Sequence, residues 1–487
     1  MSLDWCYVAR VTIDLLPDVV LLETFHFYVD NVLDVEYMHQ DIEAWTTLVH
    51  VCRKWRQVIL GSPLRLNLRL YCTDSTPVGK TLEVWPMLPI FVLGSGQKEW
   101  DVDNLVSVLE HNDRICELSL GAMQSSGSEE VLAAMQKSFP ALVNLDLQHI
   151  DASALVPASF LGGSAPQLEF LTLHGITFPG LPKLLLSATN LVRLQLHTIP
   201  QAGYISPQTM VRCLSVLTRL EYLFIGFKSH RSRPDRRRPP PPTRTFLPVL
   251  TEFDFSGVSE YLEDLVAQID APLLKNLGIT FFHQLIFDTP QLTQFISRTP
   301  KLKPSDDKVE VEFSSSDVSV GLPQTLGYEI KCKQPDWQLS ALAQVCNSSF
   351  PRAFIHAVEH LYIYKQLTPL DWQDDIEGIQ WLEFFRPFTF VKSLYISSQL
   401  TPHIMPTLLE LIGETGIEVL PSLRTLFVQE PPLSGPVQET VEKFVAARQL
   451  AGNPVAVSGW EGKKDDDEWY ESDEEEDESS SSEADND

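Results

Sequence analysis

The sequence lacks long apolar runs and paired cysteines. No stretch approaches the roughly 18 uninterrupted apolar residues of a membrane-spanning helix, and the first ten residues lack the charged and then apolar pattern of a signal peptide. The seven cysteines are scattered, and no C-x-x-C pair indicates a zinc ribbon or a disulfide framework. These absences predict a cytoplasmic or nuclear protein, or one present in both compartments, without a membrane partner.

Positive charge is also scarce. The chain contains 37 Lys and Arg residues against 65 Asp and Glu residues, which gives it a formal net charge of -28. Half of this charge lies in Asp465–Asp487, which has fourteen acidic residues and neither lysine nor arginine. Because an acidic chain repels phosphate backbones, we do not expect nucleic acid as a partner.

The acidic C-terminal segment has too few apolar residues to form a core. Its like charges repel one another, which keeps such a segment extended. We therefore expect a disordered tail, which either solubilises the chain or docks on a basic partner.

The usual catalytic and metal-binding motifs are missing too. The sequence contains no H-E-x-x-H, no G-x-S-x-G, no kinase signature set and no phosphate-binding loop. His356 and His360 lie one helical turn apart, but no third metal ligand is evident. We expect no catalytic activity, no metal and no cofactor. An enzyme active site hidden in Lys301–Asp375 is an open alternative that no motif supports.

The N-terminal region predicts three short helices. Pro17 suits the start of the first helix, because its φ angle is preset and it has no amide hydrogen to leave unpaired. The apolar residues from Val19 to Phe25 recur with helical spacing, as do those from Trp45 to Cys52. The third helix runs from Arg53 to Ile59. Three helices of this length bury little surface alone, so such a unit is often completed by a partner.

Three elements of this region resemble the F-box: Leu16-Pro17, the Val-Cys-Arg-Lys-Trp-Arg run that ends at Arg56, and Gly61-Ser62-Pro63. The stretch from Leu48 to Val78 is similar to the opening of a large fungal family of F-box-like proteins, and the resemblance covers roughly residues 15 to 90. It implies docking on a Skp-type adaptor and, through it, on a cullin in an SCF-type ubiquitin ligase. The residues expected to dock the adaptor, or to hold the shape of the module, are Leu16, Pro17, Val20, Leu21, Val49, Cys52, Trp55 and Arg56.

Two alternatives remain for this module. The segment between Phe27 and Trp45 is longer than the compact F-box usually allows, and it is acidic. The three helices could instead form an ordinary N-terminal cap of the following domain. The protein would then be a scaffold that binds partners and recruits no ligase.

The body of the chain repeats the phrase L-x-x-L-x-L. From the copy at Ile115 to the copy at Leu274, successive copies lie 23 to 30 residues apart, which is the period of leucine-rich repeats. One copy cannot bury its own apolar side, whereas stacked copies bury it continuously. The clear copies begin at Leu142, Leu168 and Leu191, and weaker ones begin at Ile115, Leu220, Leu250, Leu274, Val391 and Leu423, with a poorer candidate at Val358.

Residues that alternate with the repeat leucines are predicted to line a concave outer face. They are polar or aromatic, which suits protein recognition, although each of them could also be a solvated strand residue. The residues assigned to binding of an unknown protein substrate are Asp146, Gln148, Thr172, His174, Gln195, His197, Tyr222 and Phe224.

Three further segments interrupt or end the array. Lys301–Asp336 alternates apolar residues around Val309–Phe313 and Leu326–Cys332, which predicts a longer strand pair. Lys228–Thr245 contains seven basic residues and five prolines, and we expect a disordered insertion there. That insertion is either a solvated loop, a nuclear-import patch or a ligand for proline-binding domains. Val437–Gln449 is amphipathic and predicts a final capping helix.

The sequence therefore predicts an α/β protein: an N-terminal three-helix F-box-like module, an irregular leucine-rich-repeat solenoid and a disordered acidic C-terminal tail. The expected boundaries are 11–68 for the module, 69–112 for a linker and N-terminal cap, 113–455 for the solenoid with the insertion 228–245, and 456–487 for the tail.

Overall fold

The computed structural model of the chain describes most of the sequence in thirteen stretches. They are residues 16–33, 44–63, 65–94, 100–121, 125–148, 155–229, 243–284, 286–303, 306–334, 336–365, 378–413, 419–429 and 435–461. The predictions made for residues 11–15, for most of the segment between Phe27 and Trp45, for 230–242 of the insertion and for 462–487 of the tail lie outside the described residues.

The described residues form a mixed α/β structure that is dominated by one large sheet. The helices are α1 (Asp18–Leu33), α2 (Ala44–Val49), α3 (Arg53–Leu60), α4 (Val78–Val84), α5 (Val102–Leu109), α6 (Ser125–Ala134), α7 (Leu181–Leu185), α8 (Pro207–Leu214), α9 (Ser259–Val266), α10 (Pro290–Arg298), α11 (Trp337–Ser348), α12 (Arg352–Ile355), α13 (Gly378–Phe385), α14 (Thr401–Gly413) and α15 (Pro436–Leu450). None of the helices in these stretches combines the length and the apolar character that are needed to cross a bilayer.

The strands follow one another at intervals along the whole described chain. They are β1 (Leu70–Thr73), β2 (Ile90–Leu93), β3 (Ile115–Leu120), β4 (Asn144–Gln148), β5 (Phe170–His174), β6 (Arg193–Ile199), β7 (Tyr222–Phe227), β8 (Thr245–Phe246), β9 (Glu252–Gly257), β10 (Ile269–Asp270), β11 (Asn276–Phe282), β12 (Lys308–Phe313), β13 (Asp317–Leu322), β14 (Leu326–Lys331), β15 (His360–Lys365), β16 (Ser393–Ile396), β17 (Thr425–Gln429) and β18 (Ala456–Trp460).

Sixteen of these strands form one sheet, whose order follows the chain except at one place. The order is β1-β2-β3-β4-β5-β6-β7-β9-β11-β14-β13-β12-β15-β16-β17-β18, while β8 and β10 pair separately. Neighbours in the large sheet are parallel, apart from the β12–β13 and β13–β14 pairs. A parallel neighbour has to be reached by a return segment, and most of these segments contain a helix.

The repeated phrase explains why these strands form. In the copy that begins at Leu191, Leu194 and Leu196 lie on β6 and are buried, while the residues between them are partly exposed. The same alternation recurs on β4, β5, β7, β9 and β11, and each predicted copy coincides with a strand. The buried rows and the helices share one continuous hydrophobic core. The opposite face of the sheet carries the alternate residues.

The predicted strand pair in Lys301–Asp336 is wrong in its count. Three strands form there, β12, β13 and β14, and they make an antiparallel meander inside the otherwise parallel sheet. The middle strand has the same alternation as its neighbours, because Val318, Val320 and Leu322 are buried. Serines precede this strand and Pro323-Gln324-Thr325 follows it, and its alternation was missed in the sequence between these turn residues.

The structure differs from the sequence prediction at three further places. Val437–Gln449 does lie in a helix, α15, but that helix is not the last element, since β18 follows it and pairs with β17. The range 456–487 is therefore not disordered from its start.

At the end of the predicted insertion, Thr245 begins β8 and pairs with Ile269. The range 69–112, assigned to a linker and cap, contributes β1 and β2 to the large sheet.

We expect Leu194→Ala to lower the free energy of unfolding by about 2–5 kcal/mol, because Leu194 is fully buried and its truncation leaves a cavity. Chemical denaturation followed by circular dichroism measures this loss. The matched control is Leu186→Ala, since Leu186 is 36% exposed and its replacement should change the stability by only ~0.5 kcal/mol. Equal losses for the two variants would contradict the burial of the repeat leucines.

Candidate docking surfaces

The N-terminal module is held together by the inner side of α1. Leu21, Leu22 and Phe25 on this side are buried, and α1 contacts both α2 and α3. The ring of Phe25 lies 4.8 Å from the ring of Trp55, between their centroids. The position of Trp55 on α3 therefore decides which side of α1 faces inward.

Polar contacts fix the ends of the helices in this module. The amide of Trp55 donates to the Cys52 sulfur at 3.5 Å, so that Cys52 caps the start of α3. The Arg56 Nε donates to the carbonyl of Val49 at 3.0 Å. The Lys54 Nζ donates to the carbonyl of Leu16 at 2.7 Å, which connects the start of α1 to α3. The cysteine and the basic residues of this motif thus hold the shape of the module.

A tryptophan pair joins the module to the sheet. The Trp45 Nε1 donates to the carbonyl of Arg69, immediately before β1, at 2.9 Å. The Trp45 ring also meets the Trp85 ring edge-on, with 5.1 Å between centroids. Leu66 and Leu68, which lead from the module into β1, are buried. The module therefore packs against the first edge of the sheet.

The outer side of α1 remains apolar as well. Val19, Val20 and Phe27, which we call the α1 patch, have exposed fractions of 60%, 45% and 74%. Residues seven apart on a helix lie on the same side, so that Val20 and Phe27 share this side two turns apart. Val19, Val20 and Phe27 therefore present apolar surface on this side of α1.

The structure separates the residues predicted to dock an adaptor into buried, exposed and partly buried ones. Leu21 and Val49 are buried within the module and serve its shape. Pro17, Val20 and Arg56 are exposed, and Leu16, Cys52 and Trp55 are partly buried. The prediction missed Phe27, although its seven-residue distance from Val20 was visible in the sequence.

The eight residues predicted to bind a substrate lie together on the outer face of the sheet. Asp146 stands opposite Thr172, which stands opposite Gln195, and Gln195 stands opposite Phe224. A second row contains Gln148, His174 and His197, and Tyr222 lies in the row before. All of them alternate with buried leucines or isoleucines, so they project away from the core.

Acidic and amide groups occupy one end of this face. The Asn144 amide donates to Glu117 at 3.1 Å, and the Gln148 amide donates to Asp146 at 3.0 Å. Burial raises the pKa of both Glu117 and Asp146, although these hydrogen bonds oppose the shift. These side chains offer hydrogen-bond acceptors that are partly shielded from water.

Aromatic rings occupy the centre of the same face. The His197 imidazole stacks on the Phe224 ring with 4.1 Å between centroids, and the His174 imidazole lies 5.7 Å away. Burial, and secondly the proximity of His174, lowers the pKa of His197 to about 4. His197 is therefore neutral near pH 7, and its ring presents a flat surface for contact.

A guanidinium group covers the next ring. The Arg193 guanidinium lies 4.7 Å from the centroid of the Tyr222 ring. Burial, followed by the nearby Asp254 carboxylate, raises the pKa of the Tyr222 hydroxyl, which remains protonated. The face thus combines rings, hydrogen-bond groups and charged groups, which suit recognition of a protein surface.

No protein-family model matches this chain, and no curated protein matches it either.

We expect the imidazole of His197 to titrate near pH 4, well below its ordinary value of 6.5, because the folded protein favours its neutral form. Histidine-selective labelling and NMR measure this pKa, and the signal is assigned by its absence in His197→Gln. The stabilising effect of a neutral His197 is complete above about pH 6.5 and is lost as the pH falls toward 4.

Truncation of the stacked ring provides the control. We expect Phe224→Ala to admit water to the imidazole and to raise the pKa of His197 toward its ordinary value. A midpoint near 6.5 in the unmodified protein would contradict the stacked and shielded position of this histidine.

Proposed function

We propose that this protein is the substrate-recognition subunit of an SCF-type ubiquitin ligase. The N-terminal module docks a Skp-type adaptor, which in turn binds a cullin. The outer face of the sheet binds the protein that is to be modified. The protein is a binding subunit in this role, with no reacting group of its own.

The α1 patch is the observation that carries this proposal. A helix that is apolar on both sides buries one side in its own domain and leaves the other for a partner. Val20 and Phe27 lie on that second side, away from the buried Phe25 and from Trp55, which packs against it. An amphipathic helix laid in an apolar groove is a common mode of recognition between proteins.

The target-binding role rests on the outer face of the sheet. Its rows of partly exposed rings and hydrogen-bonding groups span four adjacent parallel strands, β4 to β7. Such a receptor accelerates ubiquitin transfer by holding the target near the ligase, since proximity raises the effective concentration of the reacting groups.

We expect Val20→Asp combined with Phe27→Asp to reduce co-purification of a Skp-type adaptor by at least about tenfold, because two charges would have to be desolvated in an apolar groove. Affinity purification of the tagged full chain with the adaptor measures this recovery. The fold should persist, because both side chains are exposed.

The matched control places the same charges on apolar residues elsewhere. Val84→Asp combined with Leu450→Asp changes two residues that are 72% and 89% exposed, and the adaptor should be recovered as with the unmodified chain. Equal recovery with both double variants would exclude adaptor docking through the α1 patch. Leu21→Asp is not informative, since it places a charge in the core of the module.

A second candidate function is a scaffold that recruits no ligase. The observation in its favour is the contact of Trp45 with Arg69 and Trp85, because it makes the three helices a cover for the first edge of the sheet. A chain that starts at Leu70 distinguishes the two roles. The scaffold is favoured by two results together: the truncated chain is insoluble, and the variant with Val20→Asp and Phe27→Asp recovers as much adaptor as the unmodified chain.

A further inference from the structure

A row of three glycines lies on the outer face of the sheet, where the meander joins the parallel strands. Gly278 on β11 stands opposite Gly327 on β14, which stands opposite Gly321 on β13. The row ends at Asp254 on β9 and at Glu310 on β12. With a strand spacing of about 4.8 Å, these two carboxylates stand roughly 19 Å apart along the sheet.

The glycines leave a trough because they present no side chains. A cavity of about 730 Å³ lies above them. None of the three has a positive φ angle, so that backbone conformation does not require glycine there. An added Cβ at Gly321 would meet the carbonyl of Leu326 at 3.0 Å, but at Gly327 it would meet no atom within 4 Å. Gly327 therefore opens onto free space, and a side chain at this position would fill the trough.

Four carboxylates surround the three glycines that form the floor of the trough. Glu329 and Glu312 lie in the neighbouring row, on either side of Ser319, and line the trough together with Asp254 and Glu310. Asp254 is partly buried, and this burial raises the pKa of its carboxyl group. Among the described residues that line the trough there is no lysine or arginine. Lys331, two residues beyond Glu329 on β14, lines a neighbouring cavity.

The trough also has aromatic walls. Phe224 and Tyr364 line its two ends, and the Tyr364 hydroxyl donates to Glu310 at 2.9 Å. Elsewhere on the same sheet the chain places its own arginines over such rings. The Arg69 guanidinium lies 4.4 Å from the Phe91 centroid, as Arg193 lies over Tyr222. A guanidinium group therefore suits both the charge and the rings of the trough.

The carboxylates are arranged for a peptide and not for a metal ion. In the part of the chain that the structure describes, no group of three or more His, Cys, Asp or Glu residues could hold a metal ion. The four acidic side chains are instead distributed over three strands, β9, β14 and β12. Successive side chains on one side of an extended peptide are about 7 Å apart, so several of them fit in a trough of this length.

We propose that this trough binds an extended, arginine-rich segment of the protein that the sheet recognises, with its guanidinium groups against Asp254, Glu310, Glu312 and Glu329. The inference rests on the proposed function in one respect, since it assigns the trough to the target-binding face. Peptide binding itself does not require the adaptor.

The test uses the full chain and a fluorescein-labelled decapeptide of alternating Arg and Ser, whose arginines all lie on one side when it is extended. We expect fluorescence anisotropy to detect binding of this peptide and no binding of the Glu-Ser counterpart. Combined Glu310→Gln, Glu312→Gln and Glu329→Gln should weaken binding by at least about tenfold, because glutamine keeps the shape and the hydrogen bonds but removes the charge.

Two further variants show where the peptide binds. Glu83→Gln with Glu129→Gln and Glu130→Gln removes the same charge from exposed helical positions and should leave the affinity nearly unchanged. This control corrects for general attraction to a chain of net charge -28. Gly327→Leu fills the trough without altering any charge, and it should weaken binding as much as the three glutamines do.

Three results would overturn the proposal: no preference for the Arg-Ser peptide, equal losses for the two triple variants, or unchanged affinity in Gly327→Leu. Thermal unfolding of each variant shows that its fold is retained. Adaptor recovery, measured on the same proteins, separates this inference from the proposed function. An unmodified chain that recovers the adaptor but does not prefer the Arg-Ser peptide refutes the trough alone. An unmodified chain that prefers this peptide but recovers no adaptor refutes the ligase role alone.

Discussion

The structure depends on the stacking of leucine rows that no single strand could bury. Leu145, Leu171, Leu194 and Leu223 stand opposite one another on four adjacent strands, and each is almost completely buried. Each row is covered only when its neighbours are present, because one strand with its helix is too small to exclude water. The outer face is built by the same constraint, since alternate residues must then point away from the core.

Much of the sheet could be predicted from the sequence because its signal is local. The spacing within L-x-x-L-x-L places two leucines on one side of a strand, and every copy found in the sequence lies at a strand. The meander was harder, because β13 runs against its neighbours and lies between turn residues. β18 was also missed, since Ala456–Trp460 precedes the acidic run and is mostly exposed, so that it has no apolar alternation.

The candidate surfaces were less predictable because they depend on contacts between distant residues. The sequence of α1 is apolar on both sides, and the side that is buried is decided by its packing in the module, where Phe25 lies against Trp55. The trough brings Asp254 and Glu310 to one row through a register set by the meander. Periodicity reports which way a residue points, but it does not report which strands become neighbours.

The two edges of the sheet differ in how they are covered. The N-terminal module packs against β1 through Trp45, whereas β18 is the last strand of the described sheet and its side chains are largely exposed. An exposed edge strand offers unpaired backbone groups to another chain and so invites aggregation. Fourteen acidic residues begin at Asp465, only five positions after Trp460. Two copies that approached edge to edge through β18 would each carry this acidic run a few residues away, and repulsion between like charges of this kind opposes self-association at an edge strand.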